Sequence, residues 1–94
     1  MIKHIVVFKL KEGESKDKAK EVLLGMQGNV PMIREIQVGT DLLGSARSFD
    51  IYLSVVLDSM KALEEYQVDA YHCNVVKKHM HAVTEKSVAI DFEI

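Results

Sequence analysis

The chain has 94 residues, a net charge of −2, and 48% hydrophobic against 28% charged residues, the composition of one soluble globular domain whose core would bury roughly 65% of the unfolded surface. No basic run offers itself to nucleic acid or an anionic membrane, and no apolar run approaches the roughly 20 residues of a spanning helix. Cys73 is the single cysteine, which excludes an internal disulfide, and charges interrupt the short apolar N-terminus with no small-residue cleavage site, so a cytoplasmic protein with a reduced thiol is expected.

Residues 2–10, "IKHIVVFKL", alternate Ile2, His4, Val6, Phe8 and Leu10 against Lys3, Ile5, Val7 and Lys9, which predicts a strand. "EGES" is a turn, and Ser15 is a candidate N-cap, although Lys18 stands where a capping box would have glutamate. Ala19, Val22, Leu23 and Met26 then recur at helical spacing, with Gly28 suited to end the helix and Pro31 following. "IREIQVG" (33–39) alternates again, "TDLLGSAR" is a loop, and "SFDIYLSVVL" (48–57) is the strongest strand signal in the chain. Asp58 or Ser59 caps a second helix with Met60, Leu63 and Tyr66 on its apolar side, and the helical pattern resumes through His72, Val75, Val76 and His79. "KSVAIDFEI" (86–94) sets Val88, Ile90, Phe92 and Ile94 against Ala89, Asp91 and Glu93 in a last strand.

The order β-α-β-β-α-β is the ferredoxin-like arrangement: α+β, with a four-stranded antiparallel sheet and the helices on one face. Uniform apolarity assigns Val6/Phe8, Ile51/Leu53/Val55 and Ile90/Phe92 to the helix side. The opposite face would then carry Ile5, Val7, Tyr52, Val56 and Ala89 among Lys3, Glu35, Gln37 and Asp91. That is too apolar for a freely solvated sheet, so a homodimer is expected, with two sheets stacked face to face into a barrel.

His4 falls on the helix-facing row, where an imidazole must find a partner or look into a pocket and move protons. Tyr66 and His72 are six residues apart; on an unbroken helix they point about 240° apart, and Tyr66 would stack on Asp69, Ala70 and Cys73 instead. They converge only if the helix breaks around Val68–Ala70, with Asp69 capping a fresh helix that has His72 at its third position, where the positive helix end favours neutral imidazole. His72 could then accept a proton while a tyrosine hydroxyl orients a carbonyl. Cys73 has no charge cluster to activate it and is expected to pack inertly. His79 and His81 point apart on a helix and no carboxylate or cysteine set completes a metal site. "VLLGMQGN" lacks the spacing and lysine of a phosphate loop, and the sheet offers only Tyr52 as an exposed aromatic for nucleic acid.

The opening "KHIVVFK", the run "SFDIYLSVVLDSMKALEEYQV", the histidine six residues after its tyrosine, "VPMIREIQVG" and the closing "VAIDFEI" resemble the stress-responsive A/B barrel family over almost the whole chain. The resemblance implies a ferredoxin-like protomer, a homodimeric α+β barrel, and a pocket between sheet and helices. It places His72 as general base, Tyr66 as hydrogen-bond donor and His4 as a polar wall. One plant member folds a polyketide chain without a cofactor, and the implied activity is cofactor-free acid–base chemistry on an apolar small molecule with a carbonyl, with Val6, Phe8 and Ile51 as apolar walls. Two other roles stay open, a non-catalytic dimeric binding protein of the stress response and a cofactor-free monooxygenase, a chemistry of related dimeric barrels. Two positions depart from the family: Asp69-Ala70 stands where His-Pro is frequent, which removes a strong helix breaker, and Ile51 stands where the plant cyclase has another histidine. Neither cofactor, metal, nucleic acid nor membrane is expected.

Overall fold

The computed structural model describes all 94 residues. Elements run β1 (Ile2–Leu10), α1 (Lys16–Leu24), β2 (Glu35–Thr40), β3 (Ile51–Leu57), α2 (Met60–Val68), a π-helical segment (His72–Lys77) continuous with α3 (Lys78–Val83), and β4 (Thr84–Glu93). The strands form one antiparallel sheet in the order β2-β3-β1-β4. With the second helical stretch counted as one interrupted layer, this is the ferredoxin-like fold.

Local chemistry explains the helix boundaries. Ser15 Oγ accepts from the Lys18 N–H at 3.0 Å and Ser59 Oγ from the Ala62 N–H at 3.2 Å, each satisfying a donor that the first turn leaves free. α1 stops at Leu24, short of Gly28; tight turns carry the chain on until Gly28, at φ +83°, reverses it with a backbone that only glycine adopts without strain. Ala19, Leu23 and Met26 then meet Ile51, Leu53, Val55 and Leu57 of β3, and Leu63, Tyr66, Val76, Met80 and Val83 complete the core.

The register corrects one expectation. Directly opposed residues share a face, and β1 pairs with β4 as His4↔Asp91, Val6↔Ala89 and Phe8↔Ser87. Asp91, Ala89 and Ser87 therefore face the helices. Ile90 and Phe92, assigned to the helix side by their apolarity, lie instead with Val88 on the open face beside Ile5 and Val7; Val88, Ile90 and Phe92 are 57%, 59% and 41% exposed. The physical reason is the position of β4. It is an edge strand exposed from Glu85 to Glu93, and the core lies over β1, β2 and β3. Its apolar row has no helix to meet. The uncovered face is consequently more apolar than the sequence pattern suggested, with Ile5, Val7, Tyr52 and Val56 joined by Val88, Ile90 and Phe92.

Candidate functional site

Asp69 breaks the helix. Its backbone leaves the helical region (φ −57°, ψ 135°), and its side-chain Oδ1 accepts from the His72 N–H at 3.0 Å, capping the segment that follows. An ended helix leaves carbonyls without partners, and the next segment supplies them. His72 Nδ1–H donates to the Tyr66 carbonyl at 2.8 Å; Lys77 Nζ and the Cys73 thiol donate to the Gln67 carbonyl at 2.8 and 3.4 Å. A lysine at a helix C-terminus also meets the negative end of the macrodipole. The turn at Asp69 thus brings Tyr66 and His72 together without a proline, their rings stacked with centroids 4.1 Å apart and planes 26° apart.

These bonds set the chemistry of His72. Because Nδ1 carries the proton that binds the Tyr66 carbonyl, the neutral ring has its lone pair on Nε2, which has no protein partner. Burial holds the His72 proton affinity below its usual value; the Tyr66 backbone bond opposes this, the charges of Lys77 and His4 reinforce it, and Asp69 opposes it. His72 is therefore a neutral, oriented base at neutral pH. His4, also buried, donates Nδ1–H to the Asp91 carboxylate, which fixes its tautomer in the same way. The His4 ring meets the Tyr66 ring edge-on at 5.6 Å.

Tyr66 has no exposed surface, and burial pushes its phenol well above the ordinary range, so it stays a neutral donor. Its hydroxyl donates to Met26 Sδ at 3.7 Å, away from the position expected of a group that orients a substrate oxygen. A thioether is a weak acceptor.

Sheet and helices flank a half-open cavity of about 260 Å³ that includes His4, Tyr66 and His72 in its lining. This is close to the roughly 300 Å³ at which small-molecule pockets begin. Val6 and Phe8 are among the apolar residues of the lining. Ile51 does not line the cavity. It pairs with Phe8 at the far end of β3 and is packed in the core, and Leu53, one step along the same face, takes the wall position. The mouth carries half-buried Gln67 and Lys77 with exposed His81, Ser87 and Ala89. Sequence reasoning missed Asp91 and Lys77. The signal for Asp91 was present, since a buried His4 needs a partner and Asp91 is an acidic residue of the strand that closes the fold. Nothing in the spacing marked Lys77. No three His, Cys, Asp or Glu side chains come together as a metal site would need, and no helix is long and apolar enough to cross a membrane.

No curated protein sequence matches the chain significantly. Solved structures do. A dimeric protein of unknown function with a ferredoxin-like fold from Bacteroides fragilis is 23% identical, with a TM-score of 0.85 over 99% of this chain and 95% of that one. A hydroxynitrile lyase from Passiflora edulis is 21% identical, with a TM-score of 0.80 over 99% and 92%. An antibiotic biosynthesis monooxygenase is 13% identical, with a TM-score of 0.76 over 100% and 98%. At these identities the likeness shows a shared fold. The model of the stress-responsive A/B barrel domain matches residues 2–94, and the chain belongs to that family.

Proposed function

We propose that the protein is a homodimer that binds a small, mostly apolar carbonyl compound in the cavity of each protomer and acts on it by acid–base chemistry without a cofactor. The observation that carries this is the state of His72, a residue of the cavity lining: tautomer set by a backbone carbonyl, proton affinity lowered by burial, and Nε2 without a protein partner. Proton transfer from the carbon next to a carbonyl needs such a base within hydrogen-bond reach. In this scheme His72 Nε2 takes that proton, and the oxygen of the resulting enolate faces the polar end of the cavity. His72, now protonated at Nε2, returns the proton to the product, and His4, held by Asp91, is the polar wall beside it. Val6, Phe8 and Leu53 hold the apolar part. Tyr66 acts as a positioning residue, through its ring and through the carbonyl that orients His72.

The homodimer rests on the uncovered row Val88, Ile90 and Phe92 together with Ile5 and Val7, a patch of the kind that marks an interface. Stacking against a second sheet is the closed, self-complementary way to cover it, and the B. fragilis relative is described as dimeric. Fold relatives named as a lyase and as a monooxygenase indicate that this fold hosts catalysis, which by itself assigns no reaction here.

A second role, ligand binding without chemistry, is favoured by one observation: the Tyr66 hydroxyl is turned into the core, leaving the cavity one rigid donor poorer than an acid–base pair would want. Thermal-shift screening of small carbonyl compounds on wild type and His72→Gln, followed by solvent deuterium exchange into any ligand found, separates the two. Exchange that needs His72 supports the base. Binding with no exchange in either protein overturns it in favour of the passive role. Dioxygen consumption with a phenolic ligand would instead identify a cofactor-free monooxygenase.

A further inference from the structure

The lining of the cavity differs in charge from the rest of the molecule. The chain has 14 acidic and 12 basic residues, yet the lining contains no Asp or Glu, and its one formal charge is Lys77. The two acidic side chains bonded to lining residues, Asp91 on His4 and Asp69 on the His72 N–H, both lie outside the lining. Lys77 is held in place: Nζ donates to the Gln67 carbonyl at 2.8 Å and, having three protons, keeps two for another acceptor. His81 follows four residues later, one helical turn along the same side, and also lines the mouth. The Ser87 hydroxyl and Gln67 amide add neutral donors at the rim. Against this stands the C-terminal end of α2, with a partial charge of about −0.5. It is smaller than the full charge of Lys77, and two of its last carbonyls, those of Tyr66 and Gln67, are occupied by His72, Cys73 and Lys77. At His72 the charges of Lys77 and His4 act in the positive sense, and the smaller effect of Asp69 opposes them.

We propose that the compound bound in this cavity is an oxo acid, with its carboxylate at the mouth between Lys77 and His81 and its carbonyl end toward His72. This rests on the cavity being a carbonyl-binding site, as set out above, and adds the charge of the ligand. An apolar-walled cleft with one cation at its entrance raises the local concentration of anions and orients them charge-outward. Anion binding next to His72 also has a linked effect: it opposes the field that keeps the imidazole neutral, so an acid is bound with a rise in the His72 proton affinity and a neutral analogue is not.

The test uses matched probes: benzoylformate, acetoacetate and levulinate, each against its methyl ester, titrated into the full chain at low ionic strength while the ring signals of His72 and His4 are followed by NMR. The acids are expected to bind at least about tenfold more tightly than the esters, the scale of one charge-assisted contact. That gap should narrow as salt is raised. Lys77→Met should weaken the acids to the level of the esters and leave the esters within about twofold, and Lys77→Arg should preserve the preference. The salt dependence in wild type stands even if Lys77→Met folds poorly, since Lys77 also caps α2. Acids and esters that shift His72 and His4 with equal affinity would overturn the charge inference and leave the carbonyl site standing. If none of the six compounds shifts either histidine, both fall.

Discussion

Asp69→Ala is the substitution that tests the site most directly, because the meeting of Tyr66 and His72 depends on the chain turning at that residue. Alanine removes the cap on the His72 N–H, a 3.0 Å bond, and the negative charge at the start of the π-helical segment. A lost cap costs about 1 kcal/mol and a favourable charge at a helix start about 0.5 kcal/mol. At roughly 4–8 °C per kcal/mol for a domain of this size, the sum of about 1.5 kcal/mol lowers Tm by about 6–12 °C. Alanine also favours continuing α2 through residue 69. A continuous helix would swing His72 away from Tyr66 and release both from the stacked geometry at 4.1 Å. The assay is therefore double: calorimetry for Tm, and the ring-current shift of the His72 imidazole protons for the stack. Asp69→Asn keeps a capping side chain and loses the charge, so it should retain the stack with a smaller fall in Tm. A variant Asp69→Ala with its Tm within about 1 °C of wild type and His72 signals unmoved would refute the reasoning, and would mean that the side-chain bonds to the Tyr66 and Gln67 carbonyls hold the break by themselves.

Three further outcomes are expected. His72 binds a proton less readily folded than unfolded, so its contribution is present above its ordinary value of 6.5 and is lost as pH falls below that value; the urea midpoint of wild type should drop between pH 7.5 and 5.5, and that of His72→Gln should drop less. Ile90→Asp puts a charge into the middle of the uncovered sheet face, where Ile90 is 59% exposed; light scattering should change from twice 10.6 kDa to a single chain, with little change in far-UV circular dichroism, and a dimer that survives would displace the interface from this face. A Cβ at Gly25 would lie 2.8 Å from the Tyr71 hydroxyl, so Gly25→Ala should destabilise by about 1–3 kcal/mol through overpacking, and Tyr71→Phe in the same chain should recover most of the loss in a denaturant titration.

The parity of β1 and β3 was legible in the sequence because both strands are central: a row of Ile51, Leu53, Val55 and Leu57 has only the core to face. β4 misled for the same reason in reverse. Its most apolar row was read as the core row, but at an edge the core face needs little apolar surface, and Ser87, Ala89 and Asp91 suffice there. The requirement that buried His4 find a partner would have corrected this, since Asp91 can meet it only from the helix side. The break at Asp69 was legible as capping chemistry, which is local. The direction of the Tyr66 hydroxyl was not, because it depends on Met26, forty positions away. Nor was the choice of Leu53 over Ile51 as a cavity wall: alternation assigns a residue to a face but not to a place along the strand. The π-helical winding of His72–Lys77 carries no periodicity signal of its own in so short a segment.

The inverted parity of β4 has a practical side. Its odd-numbered positions, Ser87 and Ala89, look into the cavity, and its even-numbered ones, Val88, Ile90 and Phe92, look the opposite way. The strand is a partition one residue thick, with the cavity on one side and the uncovered apolar row on the other. Neighbours in the sequence therefore answer to unrelated demands. A library varied at 87 and 89 can reshape the cavity while leaving the outer row intact, and one varied at 88, 90 and 92 can test the proposed association without touching the histidines. A one-residue slip in the pairing register of β4 would exchange the two sides.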